Sequence, residues 1–197
     1  MKQKTEKLKI IYDAFDEKTA TYRHDAACSK SCAFCCTATG TIDITTLEGL
    51  VIREYIEKLP RSRSKRLHKI LTQELKKREA KKVAPCPFLL KNNACMIYDI
   101  RPFACRRIYS LHTCSKDNPP MLNRHVMNHA EDTVRALQRL DDTGYSGHIS
   151  YILFMLDTPR FLETYLAGDF KPEEIMDFGK THKIAINRMA INTTSSG

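Results

Sequence analysis

Leu8, Ile11, Tyr12 and Phe15 recur at intervals of three and four residues, with lysines and acids between them. The spacing sets all four on one side of a helix and predicts an amphipathic element over residues 4–19. Thr41-Ile-Asp-Ile-Thr45 alternates polar with apolar and predicts a short extended segment. Thr45 and Glu48 then form a capping-box pattern, opening a helix that turns Leu47, Leu50 and Val51 inward and stops at Pro60. Over residues 62–82 an apolar stripe of Leu67, Ile70, Leu71 and Leu75 predicts a further helix, with polar side chains on its remaining faces.

From Val83 to Cys114 the periodicity lapses and turn formers accumulate: Pro85, Pro87, Asn92-Asn93, Asp99 and Pro102. Phe88 to Tyr98 reads as a small hairpin about Lys91-Asn92-Asn93. Pro102 is placed to open a short helix, because a first helical residue needs no N–H. Helical spacing returns beyond Pro119-Pro120, where Val126, Ala130, Val134 and Leu137 form one stripe. Residues 147–156 are densely apolar and predict a buried helix. Thr158-Pro159 begins another that Gly168 ends, and Pro172 to Phe178 predicts a short one ending at Gly179. Residues 193–197 have nothing to bury and read as a disordered tail. The expected fold is mostly α, with an irregular cysteine-rich segment packed on a helical body. It is one domain over 1–192, comprising the cysteine region at 28–114 and C-terminal helices at 120–192.

Composition changes this picture little. Of the 197 residues, 42% are apolar, enough for a folded body. No apolar run reaches the ~20 residues that span a bilayer, so no membrane association is expected. The lysine-bearing N-terminus lacks the apolar core of a signal peptide, and the protein is assigned to the cytoplasm. The net charge of +9 is compatible with nucleic acid, an acidic protein or an anionic cofactor. Ten Lys or Arg against two Glu between Arg61 and Lys82 make the third helix the most basic segment. No aromatic residues are interleaved there to stack on bases.

The cysteines change the picture more. All eight lie between residues 28 and 114: Cys28, Cys32, Cys35 and Cys36 in one run, then Cys86, Cys95, Cys105 and Cys114. Cysteines used as small apolar fillers would be scattered through the helices. In a reducing compartment such a set points to metal ligation or redox chemistry rather than disulfides. Cys35 and Cys36 are adjacent, and a vicinal disulfide would strain the peptide between them. Neighbouring side chains diverge, so the pair serves different metal atoms, either in two sites or in one polynuclear cluster. Thiolate donors suit zinc and iron–sulfur clusters alike. A close run followed by remote cysteines is nearer to iron–sulfur ligation than to the paired knuckles of zinc ribbons. A four-thiolate centre of either kind carries a net charge of about −2, which neighbouring cations stabilise. Arg101, Arg106 and Arg107 flank Cys105 and are candidates for that role around the metal ligands.

Other motifs are weaker. Cys28-x3-Cys32-x2-Cys35 with Phe34 matches the cluster motif of radical S-adenosylmethionine enzymes, but no strand precedes it and no βα units follow. His125 and His129 are one helical turn apart, yet Val126 stands where a metalloprotease HExxH motif has glutamate. His112 lies two residues before Cys114. None of these histidines has the spacing of a complete ligand set.

Taken together, CSKSCAFCC, Cys86-Pro-Phe-Leu-Leu90 and Cys95-Met-Ile-Tyr-Asp-Ile-Arg-Pro-Phe-Ala-Cys105-Arg106 resemble the YkgJ-like cysteine-cluster family, also called the CxxCxxCC or zinc- or iron-chelating domain. One departure is the three-residue gap between Cys28 and Cys32. The resemblance implies that Cys28, Cys32, Cys35, Cys36, Cys86, Cys95 and Cys105 are metal ligands, with Cys114 the eighth. It implies a metal centre, either a [4Fe–4S] cluster or zinc. The expected role is electron transfer or modification of a protein partner. The alternatives are a zinc-stabilised module that docks nucleic acid or an acidic protein through its basic helix, and a metal chaperone.

Overall fold

The structure, a computed structural model, describes residues 1–29, 32–38, 42–80, 82 and 84–169. Among these are eight α-helices and one two-stranded sheet. The chain is therefore mostly α, as its periodicity predicts. The short helix expected at Pro172–Phe178, the tail at 193–197 and Thr41 lie outside the described residues.

Helix α1 (Lys2–Arg23) is longer than its apolar stripe and buries Leu8, Tyr12, Phe15 and Thr19. The cysteine run does not stay a loop. Phe34–Ala38 forms a short helix, α2, that carries Cys35 and Cys36. Strand β1 (Asp43–Thr45) leads into α3 (Thr46–Glu57) through the predicted capping box, with both the Thr45 and the Glu48 hydrogen bonds made. Helix α4 (Arg61–Glu79) starts directly after Pro60.

The segment from Ala84 to Cys114 holds little regular structure. A single antiparallel bridge pairs Leu89 with Cys95, and Asn93 takes φ 61° at the turn, where asparagine is tolerated better than most residues. Tyr98–Ile100 is one 3-10 turn, and α5 (Phe103–Arg106) follows Pro102, which caps the helix rather than entering it. Helix α6 (Arg124–Leu140) buries Val126, Ala130 and Leu137 as the stripe requires. Residues 146–148 are not helical. Ser146–His148 forms β2, which pairs antiparallel with β1, Ile44 opposite Gly147. Helix α7 (Ile149–Leu156) is buried along most of its length, and α8 (Pro159–Ala167) ends at Gly168, whose φ of 79° suits a residue without Cβ.

Two apolar clusters share α3. On one side α1 and α6 pack with Leu47 and Phe103. On the other α4, α7 and α8 enclose Leu50, Ile52 and Ile56, together with Phe88 and Ile97 from the cysteine segment. Two carboxylates tie the N-terminus of α3 in place. Asp141 accepts from the Leu47 N–H (2.8 Å) and the Tyr165 hydroxyl (2.7 Å). Glu48 accepts from the Thr45 N–H (2.7 Å), the Phe103 N–H (2.7 Å) and the Tyr12 hydroxyl.

Candidate metal centre

Three stretches bring the thiols together. The first follows α1: Ala27 N–H donates to the Ser110 carbonyl (2.8 Å), and Ser110 N–H donates to the Cys28 Sγ (3.2 Å). The second is α2, held against the later chain because Cys86 N–H donates to the Cys36 carbonyl (2.7 Å). The third runs from the Leu89–Cys95 bridge to α5, where Cys105 sits above Pro102. None of the eight cysteines is joined in a disulfide.

Cys35 hydrogen-bonds Cys36, and Cys36 hydrogen-bonds Cys86. Cys95 lies within electrostatic reach of Cys35 and Cys36, and Cys105 within reach of Cys35, Cys36 and Cys95. Cys28 lies within electrostatic reach of Cys32, Cys114 and Cys35. Every cysteine is thereby linked to the constellation, and Cys35 lies within electrostatic reach of both Cys28 and the Cys36, Cys95 and Cys105 group. Among the described residues no three His, Cys, Asp or Glu side chains converge as a closed ligand cage. His112 bonds the Pro119 carbonyl (2.9 Å), and His125 stacks on Tyr22 at 5.6 Å.

Crowding makes the thiols poor acids. The hydrogen bond to Cys36, then burial, push Cys35 well above its ordinary value. Cys36 is raised to about 11: the bond from Cys35 pulls it down, but the bond to Cys86, burial and nearby thiols push it further up. Burial and then Cys35, Cys36, Cys95 and Glu48 raise Cys105 strongly. Burial also raises Cys95, against Arg101. Several negative charges cannot share this space without a cation to offset them. A metal ion reverses that balance, because it deprotonates the thiols it binds. Sulfur-rich donors of this kind fit zinc or an iron–sulfur centre.

The flanking arginines divide. Arg101 caps the Tyr98 carbonyl (2.9 Å), lies 4.0 Å over the Tyr98 ring, and its charge acts on Cys95. Arg106 is spent on the scaffold. It donates to the Arg101 and Asp99 carbonyls (2.9 and 2.8 Å), pairs with Asp16 (3.5 Å) and covers the Tyr12 ring at 4.5 Å. Arg107 is half-buried, and its N–H closes α5 onto the Phe103 carbonyl (3.0 Å).

Two supporting residues were not singled out by spacing. Glu48, 4% exposed, fastens α1 and α5 to α3 and so fixes the helix that carries Cys105. Its capping role is legible in the sequence, whereas its reach to residue 103 is not. Ser110, 1% exposed, holds Cys28 through its N–H, while its Oγ accepts from the His112 N–H (3.2 Å) and the Met121 N–H (3.1 Å). Nothing in the surrounding sequence marks it.

Comparison with curated proteins and with solved structures finds no match. A family model described as CxxCxxCC, putative zinc- or iron-chelating domain, matches residues 27–126, just over half of the 197 and all eight cysteines. The chain belongs to the CxxCxxCC family of zinc- or iron-chelating domains.

Proposed function

We propose that the chain holds an iron–sulfur centre through its cysteine thiolates and passes electrons to, or supports modification of, a protein partner. The observation that supports this reading is the gathering of Cys35, Cys36, Cys86, Cys95 and Cys105 in one half-buried space, more thiols than one tetrahedral ion takes. A bound cluster would supply one-electron chemistry. The chain's own residues set its surroundings. Arg101 offsets thiolate charge at Cys95, Glu48 anchors the helix bearing Cys105, and burial by Phe88 and Ile97 excludes water from one side. Eight thiols without a disulfide fit a reducing compartment such as the cytoplasm.

Purification without oxygen, followed by metal and sulfide analysis, visible absorption and paramagnetic resonance, tests the reading. A brown protein with matching iron and sulfide is expected. A colourless one with stoichiometric zinc would overturn the iron–sulfur assignment and leave a zinc centre.

A second reading rests on α4. Arg61, Arg63, Lys65, Arg66, Lys69, Lys76 and Lys77 are exposed, and among the described residues none of them is in an ion pair. Such a face suits a polyanion. Replacing Lys65, Lys69, Lys76 and Lys77 by glutamine should weaken binding to a nucleic acid or acidic protein and flatten its salt dependence. Unchanged, salt-insensitive affinity would remove this reading.

A further inference from the structure

The geometry points to the outer face of α4 as a docking strip for the phosphate backbone of a double-stranded nucleic acid. The inference rests on the polyanion reading of α4 and goes beyond it by naming the partner.

The face carries one sign of charge. At about 100° per residue, Arg61, Lys65, Lys69 and Lys76 share about 80° of the helix circumference, and Arg66 and Lys77 widen the strip to about 160°. All six are exposed. Glu74 is turned the other way: it is 4% exposed, pairs with Arg78 and accepts from the Ser150 hydroxyl. Asp157 and Glu57, on neighbouring elements, pair with Arg53 and His68 instead of this face. Helix α1 shows the contrast, since its exposed Lys2, Lys7, Lys9 and Lys18 are interspersed with exposed Glu6, Asp13 and Glu17. The strip is also rigid. Leu67, Leu71 and Leu75 are buried on the opposite side of α4, so its cations stand on a helix fixed to the core. Its length suits a duplex. From Arg61 to Lys77 the axis rises about 24 Å. A duplex carries one charge per ~1.7 Å of its own axis, so a strip of that length meets a phosphate for every cation. What the face lacks decides between partners. Stable protein interfaces centre on aromatic or apolar anchors and are poor in lysine. Here lysine predominates, and among the described residues of α4 the large exposed apolar side chain is Ile70, at 36%. That disfavours an acidic protein. Helix α4 has no Phe, Tyr or Trp on which unpaired bases could stack, which disfavours a single strand.

The test uses the full-length protein as purified and labelled duplexes of about 20 base pairs, one of DNA and one of RNA, read by fluorescence anisotropy from about 50 to about 200 mM salt. With about five phosphate contacts, log affinity for at least one duplex should fall on log salt with a slope of about −5, a loss of about a thousandfold across that range. Replacing Lys65, Lys69, Lys76 and Lys77 by glutamine should flatten the slope to about −1 to −2. Glutamine is close to lysine in helix propensity, and an unchanged circular-dichroism melt shows that the fold is kept. Replacing Lys2, Lys7, Lys9 and Lys18 on α1 by glutamine lowers the net charge equally and should leave the affinity within about twofold. Polyglutamate should compete about tenfold less well than unlabelled duplex. The slope and the competition are read on the unaltered protein and stand whether or not a variant folds. Competition by polyglutamate equal to that by duplex overturns the choice of partner and leaves the polyanion reading. An equal loss in the α1 variant overturns the assignment to α4. Binding of neither duplex nor polyglutamate at about 50 mM salt overturns the polyanion reading itself, a result distinct from the other two.

Discussion

Replacing Glu48 by alanine removes the acceptor shared by Thr45 N–H, Phe103 N–H and the Tyr12 hydroxyl, all inside a space where the carboxylate is 4% exposed. A buried donor left without a partner costs about 1–3 kcal/mol, and three such donors give about 3–9 kcal/mol. Water entering the vacated volume can serve the Thr45 N–H at the helix start, which brings the expectation down to about 3–5 kcal/mol. That is a large part of the ~5–15 kcal/mol that holds a typical domain together. Urea unfolding of the metal-loaded protein, with midpoint and slope both fitted, measures the loss. A double-mutant cycle sharpens the test. Tyr12→Phe alone should cost about 1 kcal/mol, since it breaks one hydrogen bond. In the Glu48→Ala background the same change removes an orphaned hydroxyl and should restore about 1–2 kcal/mol, so the coupling changes sign. A loss under about 1 kcal/mol for Glu48→Ala, or additive effects in the cycle, would refute the assignment of Glu48 as the clamp between α1, α3 and α5.

Gly49→Ala places a Cβ 2.4 Å from Ile152 Cγ2 and 3.0 Å from Leu156 Cδ1, so overpacking should cost about 1–3 kcal/mol and lower Tm, with partial rescue by Ile152→Val. His148 and Asp141 should act oppositely in acid. Burial, then Arg78, depress His148 from 6.5 to about 3, so its stability contribution is intact above 6.5 and is lost as pH falls toward 3, up to about 2 kcal/mol by pH 5. Burial raises Asp141 from 3.8 to about 6, so its contribution is complete below 3.8 and is lost as pH rises through 6. Relative to the unaltered protein, His148→Asn should therefore gain stability between pH 6.5 and 5, and Asp141→Asn should lose it between pH 6 and 4; parallel profiles would contradict both. Stripping metal without oxygen should lower Tm by an amount that grows with the free metal supplied to the reference sample, as calorimetry would register; an unmoved Tm would separate the metal from folding.

Elements with local causes were legible in the chain. The Thr45–Glu48 box, the stripes of α1, α4 and α6, and the stop at Gly168 all arise within a few residues, and the structure has them where the spacing puts them, except that Ile70 of the α4 stripe is exposed while Leu67, Leu71 and Leu75 are buried. What escaped depends on distant partners. Ser146–His148 is a strand because Asp43–Thr45 lies beside it, about a hundred residues earlier, and nothing in Ser-Gly-His announces that pairing. Cys35 and Cys36 are helical against the expectation of a loop, because Ala33 and Phe34 offer a turn's worth of carbonyls that local polar residues do not disrupt. At the candidate centre the sequence named the thiols. It did not name Ser110 or the span from Glu48 to Phe103, which exist only once the chain is folded.

The contact between Ser110 and Cys28 also has a bearing on synthesis. Residue 114 follows residue 28 by 86 positions, so at about 5–20 residues per second the first cysteine waits roughly 4–17 s for the last to be made. Through that interval Cys28 has no Ser110 N–H beside it and Cys36 has no Cys86 across from it. Strand β1 waits longer still, until His148 has emerged to complete its register. A nascent chain thus carries four closely spaced thiols with none of the scaffold that orders them. The order that the fold imposes on those thiols therefore comes only after Cys86 and Ser110 have been made.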